Sequence, residues 1–240
     1  MKISHSKCNI ITIGHIEDHH QYLLDNNPIS KITHVRDLGV TVDHALKFNL
    51  HIKTIVHRAN QRSAPRFRSF LSRNPATLVR AFKVYIRPIL EYASTAWSPS
   101  YIYLINLLES VQRSFTKRIP GCSHLSYPER LSLLNLHTLE QRRLFADLIM
   151  CYNIIKDNNC IDSSTFFTFS NNKFSRGHPL KLSIPLTKLN PRKYFFANRV
   201  IPIWNSLPAQ TVMAPSISSF KRLLHSTNLS KYLIFLSVVS

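Results

Sequence analysis

The chain has 240 residues, 44% hydrophobic and 18% charged, with only 4 glycines and 13 prolines. That mixture excludes collagen-like and low-complexity chains and is long enough for one sizeable core or two small ones. Lys and Arg number 31 against 12 acids, for a net charge of +19 and a pI near 10.2; such a balance points to a polyanionic partner, nucleic acid before anionic membrane.

The charge is unevenly spread. Residues 1–43 hold four basic residues and five acids, and 91–162 hold seven of each. Residues 44–90 and 163–240 each hold ten basic residues and no acid. A solvated surface normally mixes signs, so two acid-free blocks suggest a phosphate-facing surface. Four cysteines, Cys8, Cys122, Cys151 and Cys160, lack the paired spacing of a disulfide framework or zinc ribbon and read as reduced thiols. Neither a signal-peptide pattern at the start nor an apolar run of about 20 residues is present. The expectation is an intracellular protein, nuclear or cytoplasmic, not secreted and without a membrane span.

In chain order, 9–13 and 38–42 read as two short strands joined by a polar loop. After Asp43 the period becomes helical. Ile52, Val56, Ala59, Ser63, Phe67 and Phe70 fall on one face, and Arg58, Arg62, Arg66 and Arg73 form a stripe beside it. Lys53 adds to the same basic helix. Pro65 is expected to kink or split it. Asn74-Pro75 opens a second helix running to Arg87-Pro88, and a third spans about 101–118, ending in Arg113, Lys117 and Arg118. Ser126-x-x-Glu129 and Thr138-x-x-Gln141 read as capping boxes of a short helix and a long one, the latter reaching about Lys156. Residues 157–191 look irregular, with the cluster at 166–169 packing locally. A helix over 192–206 is expected to break near Pro202, and a last amphipathic piece follows Pro215-Ser216. The fold class expected is mainly α with a small N-terminal β element and a partly irregular C-terminal helical region.

Several phrases resemble, in collinear order, the C-terminal half of non-LTR (LINE, jockey-like) retrotransposon reverse transcriptases. They are Lys7-Cys8 before a short strand, VRDLGVTVDHALKFNLHI (35–52), YIRPILEYASTAWSP (85–99) and LLESVQRSFTKRIPG (107–121). LSYPERLSLLNLHTLEQRRLFADL (125–148), RGHPLKL (176–182), RKYFFANRVIPIWNSLP (192–208) and APSISSFKRLL (214–224) complete the set. The resemblance implies a palm remnant over 1–46, a thumb-like helical bundle over 47–121 and a post-thumb region over 122–228; an apolar tail at 229–240 lies beyond it. It implies that Leu38-Gly39 match a primer-grip turn, and that the helices beyond clamp an RNA or RNA–DNA duplex.

The family's catalytic aspartates lie in an aspartate-bearing strand and an aromatic-x-Asp-Asp turn, and neither motif occurs in this sequence. Two-metal nucleotidyl transfer needs such converging carboxylates. The adjacent pair Glu17-Asp18 lies in a His-rich loop without that context. The expectation is therefore no catalytic or metal site and no cofactor in this chain, with Mg2+ belonging to an upstream polymerase segment. The chain alone is expected not to polymerise.

The basic candidates are Lys53, Arg58, Arg62, Arg66, Arg73, Arg113, Lys117 and Arg118, because guanidinium and ammonium groups pair with phosphate. A plain solvated helix face is the alternative for the stripe. Acids lie near Arg113, Lys117 and Arg118, and near Arg142 and Arg143, so pairing within the fold competes there. Trp97 and Trp204 read as core residues, and Asp37, Asp43 and Asp147 as caps or surface. Two other functions compete with the nucleic-acid clamp: a non-functional product of a truncated element, and a basic module binding acidic partners or anionic lipid.

Overall fold

The structure, a computed structural model, describes residues 4, 7–14, 20–69, 74–156, 161–170 and 177–235, with backbone alone at 64–69 and 190. The N-terminal strands are short. β1 (Asn9–Ile10) pairs in parallel with β4 (Ser30–Lys31), and β2 (Leu23–Leu24) pairs antiparallel with β3 (Asn27–Pro28). β5 (His34–Asp37) and β6 (Val40–Asp43) form a hairpin in the register Val35↔Val42 and Asp37↔Val40. The strand expected at 38–42 is thus shifted. Leu38 and Gly39 are the turn, and the partner is the polar-looking HVRD segment rather than 9–13. Both turn residues have positive φ, 43° and 86°, which matches the right-handed twist of a two-residue hairpin.

Asp43 turns the chain into the first helix. Its carboxylate accepts from the backbone N–H groups of Ala45, Lys47 and Phe48 at 3.0, 3.2 and 2.7 Å, so the expectation of a cap holds for this residue. α1 (Asn49–Ser69) buries Ile52, Ile55, Val56, Ala59 and Ser63. Of the kink or split expected at Pro65, the split does not occur: the helix is continuous through it. Proline removes the N–H that Gln61 would receive, and Gln61 is exposed, so water can satisfy its carbonyl. The side chain of Phe67, and Phe70 altogether, lie outside the described residues.

Asn74 caps α2 (Pro75–Ala81), accepting from the Ala76 N–H at 2.8 Å. A π turn at Phe82–Ile86 then leads into α3 (Arg87–Glu91), and the Arg87 N–H reaches back to the Phe82 carbonyl. This wide turn shifts the hydrogen-bond register just before Pro88, and the helical path continues past the expected stop. α4 (Ser94–Trp97) and α5 (Ile102–Lys117) follow. α6 (Tyr127–Leu133) has the full capping box at Ser126 and Glu129. At α7 (Leu139–Ile155) the box is half formed. Thr138 accepts from the Gln141 N–H, while the Gln141 side chain meets His137 Nδ1 at 3.2 Å.

The 192–206 helix breaks earlier than expected. α8 (Asn190–Lys193) ends before Tyr194, and α9 (Phe196–Ser206) runs through Pro202. α10 (Ala209–Val212) and α11 (Ile217–Ser226) complete the helices, so the fold is mainly α with a small N-terminal β element. Between α7 and α8, the Phe166 and Phe167 ring centroids lie 6.3 Å apart, and their packing extends beyond this local contact. They meet the rings of Phe195 and Phe196, and Phe167 is buried in the core.

Two apolar cores result. The first gathers Val40, the inner faces of α1 to α6, Leu139 and Phe235; the second gathers α7 from Leu144 onward with α9, α10, α11 and the following turn. Each fully buried Leu, Ile or Phe contributes roughly 1.5–3 kcal/mol, so these faces decide helix placement over the exposed charges. α7 is the shared wall. The boundary expected at 121–122 falls between α5 and α6, which both belong to the first core. In the second, the phrase around His178 clasps α9. Trp204 Nε1 donates to the Leu180 carbonyl at 2.9 Å, and Asn205 exchanges two hydrogen bonds with the Leu182 backbone.

Candidate nucleic-acid interface

The hairpin tip is an exposed knob on a braced support. Leu38 is 84% exposed although its backbone is left-handed, a conformation costly for a residue with a Cβ. Tyr92, from the turn after α3, donates its hydroxyl to the Leu38 carbonyl at 3.0 Å. A Cβ on Gly39 would lie 3.3 Å from the Tyr92 ring, so glycine serves both the positive φ and the close approach. Tyr92 is itself 57% exposed, and its ring stands beside the knob.

His51 ties the hairpin to α1. Its Nδ1 accepts from the Thr41 N–H at 3.2 Å, which places the proton of the neutral ring on Nε2. The ring is buried edge-on against Trp97, centroids 5.1 Å apart. Burial, then the positive charges of Arg36 and Arg58, push its pKa down to about 4. Arg36 lies on β5 and Arg58 on α1. Both are exposed, as is Arg62 one turn beyond Arg58. Lys53 is exposed on α1 as well. Arg66 lies on the helix with its side chain outside the described part, and Arg73 lies outside the described residues.

The other candidates divide. Lys117 and Arg118 are exposed at the end of α5. Arg113 turns inward instead, its guanidinium 5.4 Å from the Tyr127 ring centroid and 5.3 Å from that of Phe235. Arg142 pairs with Glu91 through both carboxylate oxygens, and Arg143 is buried. Asp147 corrects the surface reading. It is buried and holds Arg199 at 2.8 and 2.9 Å. Arg199 also donates to the Thr95 carbonyl at 2.7 Å, linking α9 to α4. Trp97 and Trp204 are buried, their indole N–H groups donating to the Tyr92 and Leu180 carbonyls.

Sequence reasoning missed Arg36, Tyr92 and His51. Tyr92 and His51 act through partners 54 and 10 positions away, and Arg36 lies two residues before Leu38. The described residues hold no group of three or more His, Cys, Asp or Glu placed to hold a metal ion; Glu17-Asp18 and His19 lie outside them. No described helix is long and apolar enough to cross a membrane. Chemically, the site offers an apolar knob, a phenol ring and guanidinium groups, a combination suited to sugar, base and phosphate.

No protein-family profile matches the chain, and no solved structure matches it. A Caenorhabditis elegans protein described only as uncharacterized is 28% identical over 124 residues. The match covers 50% of this chain and 63% of that protein, less than two thirds of its length.

Proposed function

We propose that this chain is the thumb-bearing part of a non-LTR retrotransposon reverse transcriptase and grips an RNA or RNA–DNA template–primer duplex. The observation that carries the reading is the braced knob. Leu38 is held outward by Tyr92 and Gly39 within the phrase that resembles a primer grip, and Arg36 in the strand leading to it and Arg58 of α1 are both exposed. In this reading Leu38 lies against the terminal sugar of the primer strand. Arg36, Arg58 and Arg62 pair with phosphates, which gives affinity without base specificity. The carboxylates and Mg2+ of nucleotidyl transfer belong to an upstream polymerase segment, and this chain alone is inactive as a polymerase. The two closed cores favour this reading over a poorly folded product of a truncated element.

A photoreactive benzoylphenylalanine at position 38 tests it. The account expects crosslinks to the 3′-terminal nucleotides of the primer strand in a recessed RNA–DNA duplex. Crosslinks spread evenly along both strands, or crosslinks to anionic vesicles in competition with duplex, would overturn it.

A further inference from the structure

The end of the described chain leaves its own helical layer. Leu229 and Leu233 are buried in the second core, but two residues later Phe235 is fully buried in the first. Hydrogen bonding fixes this crossing. The Glu140 carboxylate, in the first turn of α7, accepts from the Ile234 N–H through Oε1 at 3.0 Å and from the Phe235 N–H through Oε2 at 2.9 Å.

The receiving surface is equally specific. The Phe235 ring meets the Tyr127 ring edge-on, centroids 6.0 Å apart at 85°, and the Arg113 guanidinium covers both rings. Behind Tyr127 lies a buried polar chain. Its hydroxyl donates to Glu109 Oε2 at 2.7 Å and accepts from Gln112 Nε2 at 2.9 Å. Glu109 Oε1 in turn accepts from the Glu140 backbone N–H at 2.9 Å. Glu140 therefore faces two ways, its N–H toward the buried chain and its carboxylate toward the tail. Burial raises the Glu109 pKa, opposed by the charge of Arg143 and by the hydrogen bonds from Tyr127 and the Glu140 N–H.

We infer that Tyr127, Arg113 and Glu140 form a peptide-binding site whose ligand is this chain's own C-terminal segment. The ligand class is a peptide entering a helical turn, which offers its first two consecutive backbone N–H groups and a phenyl side chain. The carboxylate takes the N–H pair, and the aromatic-guanidinium wall takes the ring. Occupied in cis, the site latches the second core to the first across α7. A segment expected from the sequence to be a plain apolar tail becomes the clasp between the two cores. The inference does not depend on nucleic-acid binding.

Hydrogen exchange tests it without nucleic acid. In full-length Phe235→Ala, amides of 126–145 should exchange about tenfold faster, with those of the α1 segment 49–63 unchanged. Glu140→Gln keeps the volume and one acceptor; its increase should be smaller and confined to 139–142 and 234–235. In a chain ending at Leu233, an N-acetylated peptide of residues 233–240 should restore protection at 126–145, and its Phe→Ala version should not. Unchanged exchange in Phe235→Ala, an equal rise across α1 and 126–145, or a peptide that restores nothing would overturn the assignment.

Discussion

The Tyr92 hydroxyl donates to the Leu38 carbonyl at 3.0 Å, joining two residues 54 positions apart in sequence. It braces a turn whose first residue is held in a left-handed conformation with its side chain in solvent. Tyr92→Phe removes one exposed hydrogen bond and should cost about 1 kcal/mol in denaturant unfolding. Gly39→Ala meets both the positive φ and the Tyr92 ring at 3.3 Å; it should cost more, on the order of 1–3 kcal/mol. Equal stability of the Gly39→Ala and native proteins would show that the brace is not tight.

Stability should fall with acid through His51. Its folded pKa, near 4, is depressed below the ordinary 6.5, so at intermediate pH the unfolded chain binds more protons than the native one. The contribution is complete above pH 6.5 and is lost progressively as pH falls from there toward 4. Its full size is up to about 3 kcal/mol. His51→Gln should flatten this part of a pH series of unfolding midpoints. An undiminished acid slope in that variant would assign the loss to other groups.

Buried Asp147 pairs with half-buried Arg199 at 2.8 Å, joining α7 to α9, and Arg199 reaches the Thr95 carbonyl beyond. Asp147→Ala leaves a guanidinium without its counter-charge in the fold and should cost about 3–5 kcal/mol by urea unfolding. Replacing both residues with leucine should recover most of that loss, because a matched apolar pair avoids desolvating two charges. A double variant as unstable as the single one would count against charge burial as the cause.

Much of the helical part was legible in the sequence because its signals are local. Asn74, Ser126 and Thr138 cap helices where expected, and Ile52, Val56, Ala59 and Ser63 line the inner face of α1. What escaped depends on distant partners. The HVRD strand reads as polar and finds its place only by pairing with Val40–Asp43. Arg143 and Asp147 are charged types whose burial follows from the packing of α7 and α9 rather than from local pattern. Pro65 and Pro202 sit inside continuous helices, which a rule about single residues does not foresee. Phe235 lies in an apolar tail, and its destination is set by residues far earlier in the chain, Arg113, Tyr127 and Glu140.

The central claim is that the exposed guanidinium groups of β5 and α1 grip duplex phosphates. Its most direct test is the salt dependence of binding to an RNA–DNA duplex, measured for the native chain and for Arg58→Ala/Arg62→Ala. Each lost phosphate contact lowers the slope of log affinity against log salt by about 0.7–0.9. The account predicts steep loss of affinity with salt in the native chain, and a slope smaller by roughly 1.5 in the double variant. Salt-independent binding, or identical slopes in the two proteins, would contradict it.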